Sequence, residues 1–258
     1  ILDIVRPNRG EIDVFGEPPG VEHQERVGYL PEDRGLYRDV KIIDTLTYFG
    51  ALRGMSQKVA HDRAMALMEE MDLADAAEKK AAELSRGMHQ KAQLIATILN
   101  DPELLIVDEP FQGLDPVNAD MLKGVVRSQK ERGAAVIMST HDMGDAQTLC
   151  DRILLIDKGH RLLYGTVDQV RDAFSDGAVQ VSGKGLPQTP EQLQSVTDVH
   201  EVDGALRYLI RDDASPQDLF RELASGGAEV EQFAVQAPSL DEVFIRTVAG
   251  DPRAEAVR

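Results

Sequence analysis

The sequence predicts an α/β fold: a parallel sheet interrupted by an all-helical insertion, then a small ferredoxin-like α+β domain from about residue 176. Three observations predict it. "LLIVD" (104–108) and "AAVIMST" (134–140) are unbroken apolar runs of strand length, as in parallel strands covered on both faces. Between them Asp115 can cap a helix that opens on Pro116 and closes before Gly133, completing a βαβ unit. Beyond residue 175 the texture changes to short alternating elements.

In chain order, "VGYLPEDRGLY" (27–37) comes first and holds a short strand that ends at Pro31. Residues 41–84 contain "IIDTLTYFGALRG", "VAHDRAMALMEEMDL" and "ADAAEKKAAELS", three helical patterns with no strand between them. "ELSRGMHQKAQLIATILND" (83–101) sets Ser85 before a helix on which Met88, Ala92, Ile95 and Leu99 share one face. "ILLIDKGHRLLYG" (153–165) reads as a hairpin turning at Lys158-Gly159. "AVQVSG", "EQLQSV", "DVHEVDG", "ALRYLIRD", "PQDLFRELASGG", "EVEQFAVQ" and "SLDEVFIRTVAG" then give the order βαββαβα. The expected division is residues 1–175, with a helical subdomain at about 38–100, and residues 176–258.

Composition narrows the function classes. At 258 residues the chain can bury one large core or two smaller ones. It has no run of eighteen apolar residues, the length a membrane-spanning helix needs. A single cysteine, Cys150, excludes an intrachain disulfide framework and fits a reducing compartment. With 45 acidic against 28 basic residues the formal charge is −17, which opposes general binding to phosphate backbones, so no nucleic-acid partner is expected.

Chemistry concentrates where strands end. Asp108 and Glu109 stand side by side at the end of "LLIVD", where like charges repel. In an open α/β sheet that end is where ligands bind. An aspartate there can hold Mg²⁺ while the next carboxylate orients an attacking water, and a nearby cation relieves the repulsion. By itself the pair fits equally a strand end whose carboxylates meet solvent. Ser85 can cap its helix, and Gly87 lets backbone approach a ligand at a helix N-terminus suited to phosphate. Taken alone, that segment is also an ordinary serine-capped helix. His141 follows the next strand at the same sheet edge, and Glu32 follows Pro31 as a possible metal or water contact.

Together these segments resemble the ATP-binding cassette (ABC) ATPases, which are built on a P-loop NTPase-like parallel sheet. "LSRGM" (84–88) resembles the family's signature, usually LSGGQ, with Arg86 for the first glycine and Met88 for the glutamine. "LLIVDE" (104–109) is similar to Walker B plus the catalytic glutamate, and "GLD" (113–115) to the D-loop. "STHD" supplies the switch histidine, His141, and "YLPED" puts Glu32 where most members carry glutamine. These departures, and the ending "PSLDEVFIRTVAG", are similar to the branch that serves ABC-2-type exporters. The resemblance implies ATP and Mg²⁺ as cofactors. Glu109 and His141 would be catalytic, Ser85, Arg86, Gly87, Met88 and Asp115 would bind nucleotide, and Asp108 and Glu32 would serve the metal.

The phosphate-cradling loop G-x-x-x-x-G-K-[ST] occurs nowhere in the sequence. The opening "ILDIVRPNRGEIDVFG" looks like the segment that lies just after that loop's helix in the family. A chain shortened at its N-terminus is therefore expected, its full-length form an ATPase and the 258 residues alone inactive. In the family two cassettes face head to tail, each signature serving the other chain's nucleotide. The resemblance thus implies a second ATPase subunit, an integral-membrane permease and a place at the cytoplasmic face of the membrane. Two alternatives stay open: a non-catalytic half-cassette lending its signature to a complete partner, and an ABC protein outside transport.

Overall fold

The computed structural model describes every residue except Val21, Glu22, Asp33, Arg34, Asp176, Asp203, Asp212, Gln236 and Arg258. The chain forms two compact units, residues 1–141 and 142–258. That division falls ahead of the boundary expected near residue 175, because residues between 142 and 175 share a core with the C-terminal helix.

In the first unit a three-stranded parallel sheet runs β1 (Val27–Leu30), β2 (Leu104–Asp108), β3 (Ala135–Ser139), in that spatial order. Leu30 lies opposite Val107, and Asp108 opposite Ser139, so all three strands deliver their carboxyl ends to one edge. β2 is the buried central strand, with Leu105 and Val107 fully covered. β3 departs from the expected cover on both faces. Its residues alternate between exposed and half-buried, although the opposite edge strand, β1, is largely buried.

This unit also holds four helices, α1 (Ile42–Leu52), α2 (Gln57–Glu70), α3 (Arg86–Ile98) and α4 (Pro116–Glu131); α3 packs on β1 and α4 on β3, while α1 and α2 pack on each other and on α3. The third helical pattern, "ADAAEKKAAELS", forms two 3-10 turns instead, Ala74–Ala76 and Ala81–Glu83. Tertiary bonding accounts for the difference. No side chain caps α1 at Lys41, and the carbonyls of Lys79 and Ala77 accept the amides of Ile42 and Ile43 instead, at 2.9 and 3.1 Å. A regular helix over 74–83 would consume those carbonyls itself.

α3 is the spine of this unit. Ala92, Leu94, Ile95, Ile98 and Leu99 are buried, and so are the polar His89, Lys91, Gln93 and Thr97. Its expected one-faced pattern is exceeded, because β1, α1, α2 and α4 all pack on it. β1 comes so close that a Cβ on Gly28 would lie 2.7 Å from the Thr97 carbonyl. At the far end the half-buried Arg53 donates to the carbonyls of Ala96 and Thr97 at 2.8 and 3.2 Å, sealing acceptors the helix leaves orphaned. Burial lowers the pKa of Arg53.

The second unit opens with α5 (Met143–Leu149) and the hairpin β4 (Arg152–Asp157), β5 (His160–Thr166). Lys158 and Gly159, at φ 48° and 79°, make the tight turn expected of that pair. α6 (Val167–Ala173) follows, opened by a capping box between Thr166 and Gln169. Leu163 of the hairpin and Val167, Val170 and Phe174 around α6 share one core with Leu240 and Val243 of the last helix, α8 (Leu240–Val248). That shared core is why the hairpin belongs with the second unit.

The remaining sheet is antiparallel: β6 (Val179–Lys184), β7 (Val196–Val202), β8 (Ala205–Ile210) and β9 (Glu229–Val235), in spatial order β7-β8-β6-β9. With α7 (Pro216–Ser225) this is the ferredoxin-like order, and Leu219 and Leu223 of α7 cover Val179, Val181 and Tyr208. Its expected first helix, "EQLQSV", is only the 3-10 turn Pro190–Gln192. Val196 already belongs to β7, so the pattern has too few residues left to make a helix.

Candidate functional site

The carboxyl edge of the parallel sheet gathers Asp108, Glu109, Ser139 and His141. Glu109 takes the left-handed region at φ 45°, which turns the chain out of β2 directly after Asp108. The amide of Glu109 donates to the Ser139 carbonyl at 3.1 Å, which holds the turn against the end of β3. Pro110 and Phe111 then bury themselves and anchor the segment.

This geometry resolves the side-by-side carboxylates. Asp108 Oδ1 accepts the Ser139 hydroxyl. Glu109 Oε1 accepts the backbone amide of His141 at 2.8 Å and lies 2.8 Å from Nδ1 of the same residue, a donor in the tautomer that completes the bond. Each charge has its own donors from the end of β3, so the repulsion is relieved within the protein. The Glu109 side chain is 18% exposed and that of His141 72%, so the pair joins a recessed carboxylate to a ring that solvent or a ligand can reach.

The second cluster lies at the start of α3. Ser85 Oγ accepts the Met88 amide at 3.3 Å, the expected N-cap. As in any helix, the first amides, here of Arg86 and Gly87, have no partner within the helix. Asp115 caps α4 through the Asn118 amide at 3.1 Å, and its other oxygen accepts the Asn118 side chain at 2.6 Å. Those bonds, the side-chain one first, hold the Asp115 carboxyl below its usual pKa. A Cβ on Gly87 would meet the Asn118 Nδ2 at 3.1 Å, so that glycine admits a neighbouring side chain. The guanidinium of Arg86 occupies the space where a Cβ on Gly113 would project, and Gln90 donates to the Pro110 carbonyl at 3.0 Å.

The structure therefore brings the expected residues into two groups: Asp108, Glu109 and His141, and then Ser85, Arg86, Gly87, Met88 and Asp115. Glu32 is exposed just beyond β1 at the same sheet edge, with no hydrogen bond to Asp108 among the described residues. Ser139, Gln90 and Asn118 join these groups without having stood out in the sequence. Ser139 was legible in principle, being the β3 residue in register with Asp108. Gln90 and Asn118 act through packing of α3 on the 110–118 segment, which no spacing along the chain encodes.

As for cofactors, no group of three His, Cys, Asp or Glu side chains suited to a metal occurs among the described residues. A single strand-end aspartate nonetheless suits Mg²⁺, which is bound through one or two carboxylates together with substrate phosphates.

The family profile described as "ABC transporter" matches residues 1–112, and that of the C-terminal domain of DrrA1-3-like ATP-binding proteins matches residues 165–248. An uncharacterised ABC transporter ATP-binding protein of Alkalihalophilus pseudofirmus is 34% identical over 248 residues, covering 96% of this chain and 92% of that protein. The Nod factor export ATP-binding protein I of Burkholderia lata is 28% identical over 250 residues, covering 95% and 81%. Among solved structures, an ATP-binding subunit of an ABC transporter superposes with TM-score 0.62 at 30% identity, covering 67% of this chain and 74% of that one. The cbiO1 protein from Clostridium perfringens, part of the ABC transporter complex cbiONQ, shares the fold with TM-score 0.55 at 22% identity, covering 63% and 68%. With the sheet, the two clusters and these relatives in agreement, the chain belongs to the ABC transporter ATP-binding proteins.

Proposed function

We propose that this chain is the ATP-hydrolysing subunit of an exporter, in which Glu109 polarises the attacking water and His141 holds Glu109 in place. The observation that carries the reading is the double hydrogen bond from His141 to one oxygen of Glu109. A carboxylate so held keeps one orientation and leaves its other oxygen for water, as general-base work requires. Asp108, oriented by Ser139, would hold Mg²⁺; when bound, that ion supplies positive charge beside the transferred phosphoryl group. The amides at the start of α3 would meet the phosphate end of a nucleotide held by a second chain, which makes the working unit a head-to-tail dimer.

The relatives' names support the transport setting: one is a Nod factor export ATP-binding protein, and another structure is part of an ABC transporter complex. No helix among the described residues is long and apolar enough to cross a membrane, so the translocation path would belong to a permease partner, reached from the cytoplasmic face. Closure of the dimer on ATP and reopening after hydrolysis would move the helices α1 and α2 and, with them, the permease.

The test needs a phosphate loop, because the sequence contains no G-x-x-x-x-G-K-[ST]. With a strand, loop and helix supplied in front of Ile1, Glu109→Gln is expected to keep ATP binding while hydrolysis falls by about 10²–10⁴-fold. Turnover within a few fold of the parent would remove Glu109 from the catalytic role. The capped start of α3, whose first amides have no partner within the helix, also fits a second reading, a half-cassette that lends its signature to a complete subunit. That reading expects the unmodified chain to raise the ATPase rate of such a subunit without binding Mg·ATP itself.

A further inference from the structure

Three contacts tie the first turns of α3 to the segment beyond β2. Gln90 donates to the Pro110 carbonyl at 3.0 Å. Four residues earlier, on the same helix face, Arg86 lays its guanidinium over Gly113. Asn118, held by Asp115, fills the space beside Gly87. The contacts reach Pro110, Gly113 and Asn118 in turn, so the whole turn between β2 and α4 is stitched to one helix.

The middle contact depends on a glycine. Gly113 sits at φ 66°, a conformation side chains disfavour, and its missing Cβ is what lets a flat cation lie on the backbone. Arginine suits that place because its guanidinium is planar, weakly hydrated and stacks on flat surfaces, whereas a lysine ammonium is a compact, strongly hydrated point charge.

We propose that Arg86 is a positioning residue: by stacking on Gly113 it fixes the turn after β2 to the start of α3, so that Ser85 and Asp115 face a ligand as one surface. The purpose of the clamp rests on the function proposed above. Its existence does not, and the experiment reads the contact itself whether or not ATP is the ligand.

Amide hydrogen exchange on the unmodified 258-residue chain is the direct probe. Arg86→Ala should speed exchange at Gln112 and Leu114 several-fold and leave β6 to β9 unchanged. Arg86→Lys should behave like the alanine variant, since charge without a plane does not stack. A thermal-unfolding cycle supplies an independent check. Gly113→Ala strains the backbone and also dislodges Arg86. Gly133→Ala, at φ 97° with nothing within 4 Å of the added Cβ, strains the backbone alone. The midpoint losses of Arg86→Ala and Gly113→Ala should overlap, while those of Arg86→Ala and Gly133→Ala should add. Unchanged exchange in Arg86→Ala, full protection in Arg86→Lys, or additivity with Gly113→Ala would each overturn the clamp.

Discussion

At the ends of β2 and β3 side chains do the holding. Ser139 donates to Asp108, and His141 donates to Glu109, so two carboxylates keep fixed directions at a sheet edge that remains open to a ligand. At the start of α3 backbone and close packing do it. Gly87 and Gly113 are small so that Asn118 and Arg86 can reach the main chain, and the groups left for a ligand are helix amides. The first arrangement suits bond-making, because an oriented carboxylate can take a proton. The second suits recognition, because helix amides are fixed donors for an anion and do not change protonation. On the function proposed above, the chain would carry two half-sites with unlike tolerance to mutation. Changes at the sheet edge should cost rate, and changes at the helix start should cost stability and assembly.

His141→Ala gives the larger effect of that kind. With a phosphate loop supplied, hydrolysis should drop by about 10²-fold or more, since Glu109 loses its ring partner and keeps only the backbone amide. The unfolding midpoint should barely move, because the His141 side chain is 72% exposed. A large loss of stability with little loss of rate would reverse the comparison.

Ser85→Ala should show the opposite profile. Removing this N-cap is expected to destabilise the first unit by about 0.5–2 kcal/mol, measured by denaturant unfolding. Binding of ATP within the same chain's own site should be unaffected.

Asp115 supplies the smallest effect. Its folded pKa is depressed by the Asn118 bonds, so its contribution to stability is present above the ordinary carboxylate pKa and lost as pH falls through the lowered folded value. Acid titration of wild type against Asp115→Asn should therefore diverge below about pH 4, the variant lacking that part of the pH dependence. Coincident acid profiles would show that the carboxylate contributes nothing beyond what an amide cap provides.

Much of this architecture is legible from residues. "LLIVD" declares a central strand because both of its faces are buried, and Ser85 and Asp115 declare helix starts because a capping oxygen must precede the first turn. Lys158-Gly159 fixes the hairpin because both residues must take positive φ. What stays hidden depends on distant partners. The stretch from Ala74 to Glu83 looks helical until its carbonyls are seen capping α1. The division after His141 rests on a core that joins Leu163 to Leu240 and Val243. At the site, the types and order of Asp108, Glu109 and His141 are plain in the sequence. The positive φ of Glu109, which turns the two carboxylates toward separate donors, is not. Nor is the packing of Arg86 on Gly113, since it depends on how α3 crosses the turn after β2.

The assignment of the two half-sites to different nucleotides is tested most directly by ATP hydrolysis in mixed dimers of the chain with a phosphate loop supplied. Ser85→Arg should spoil the site that a chain offers to its partner's nucleotide, and Asp108→Asn the site within its own chain. Placed in opposite chains, the two substitutions fall on one composite site and leave the second working. Placed together in one chain, they strike both sites. The account predicts clear residual hydrolysis for the opposite-chain pair and almost none for the same-chain pair. An opposite-chain pair no more active than the same-chain pair would contradict it.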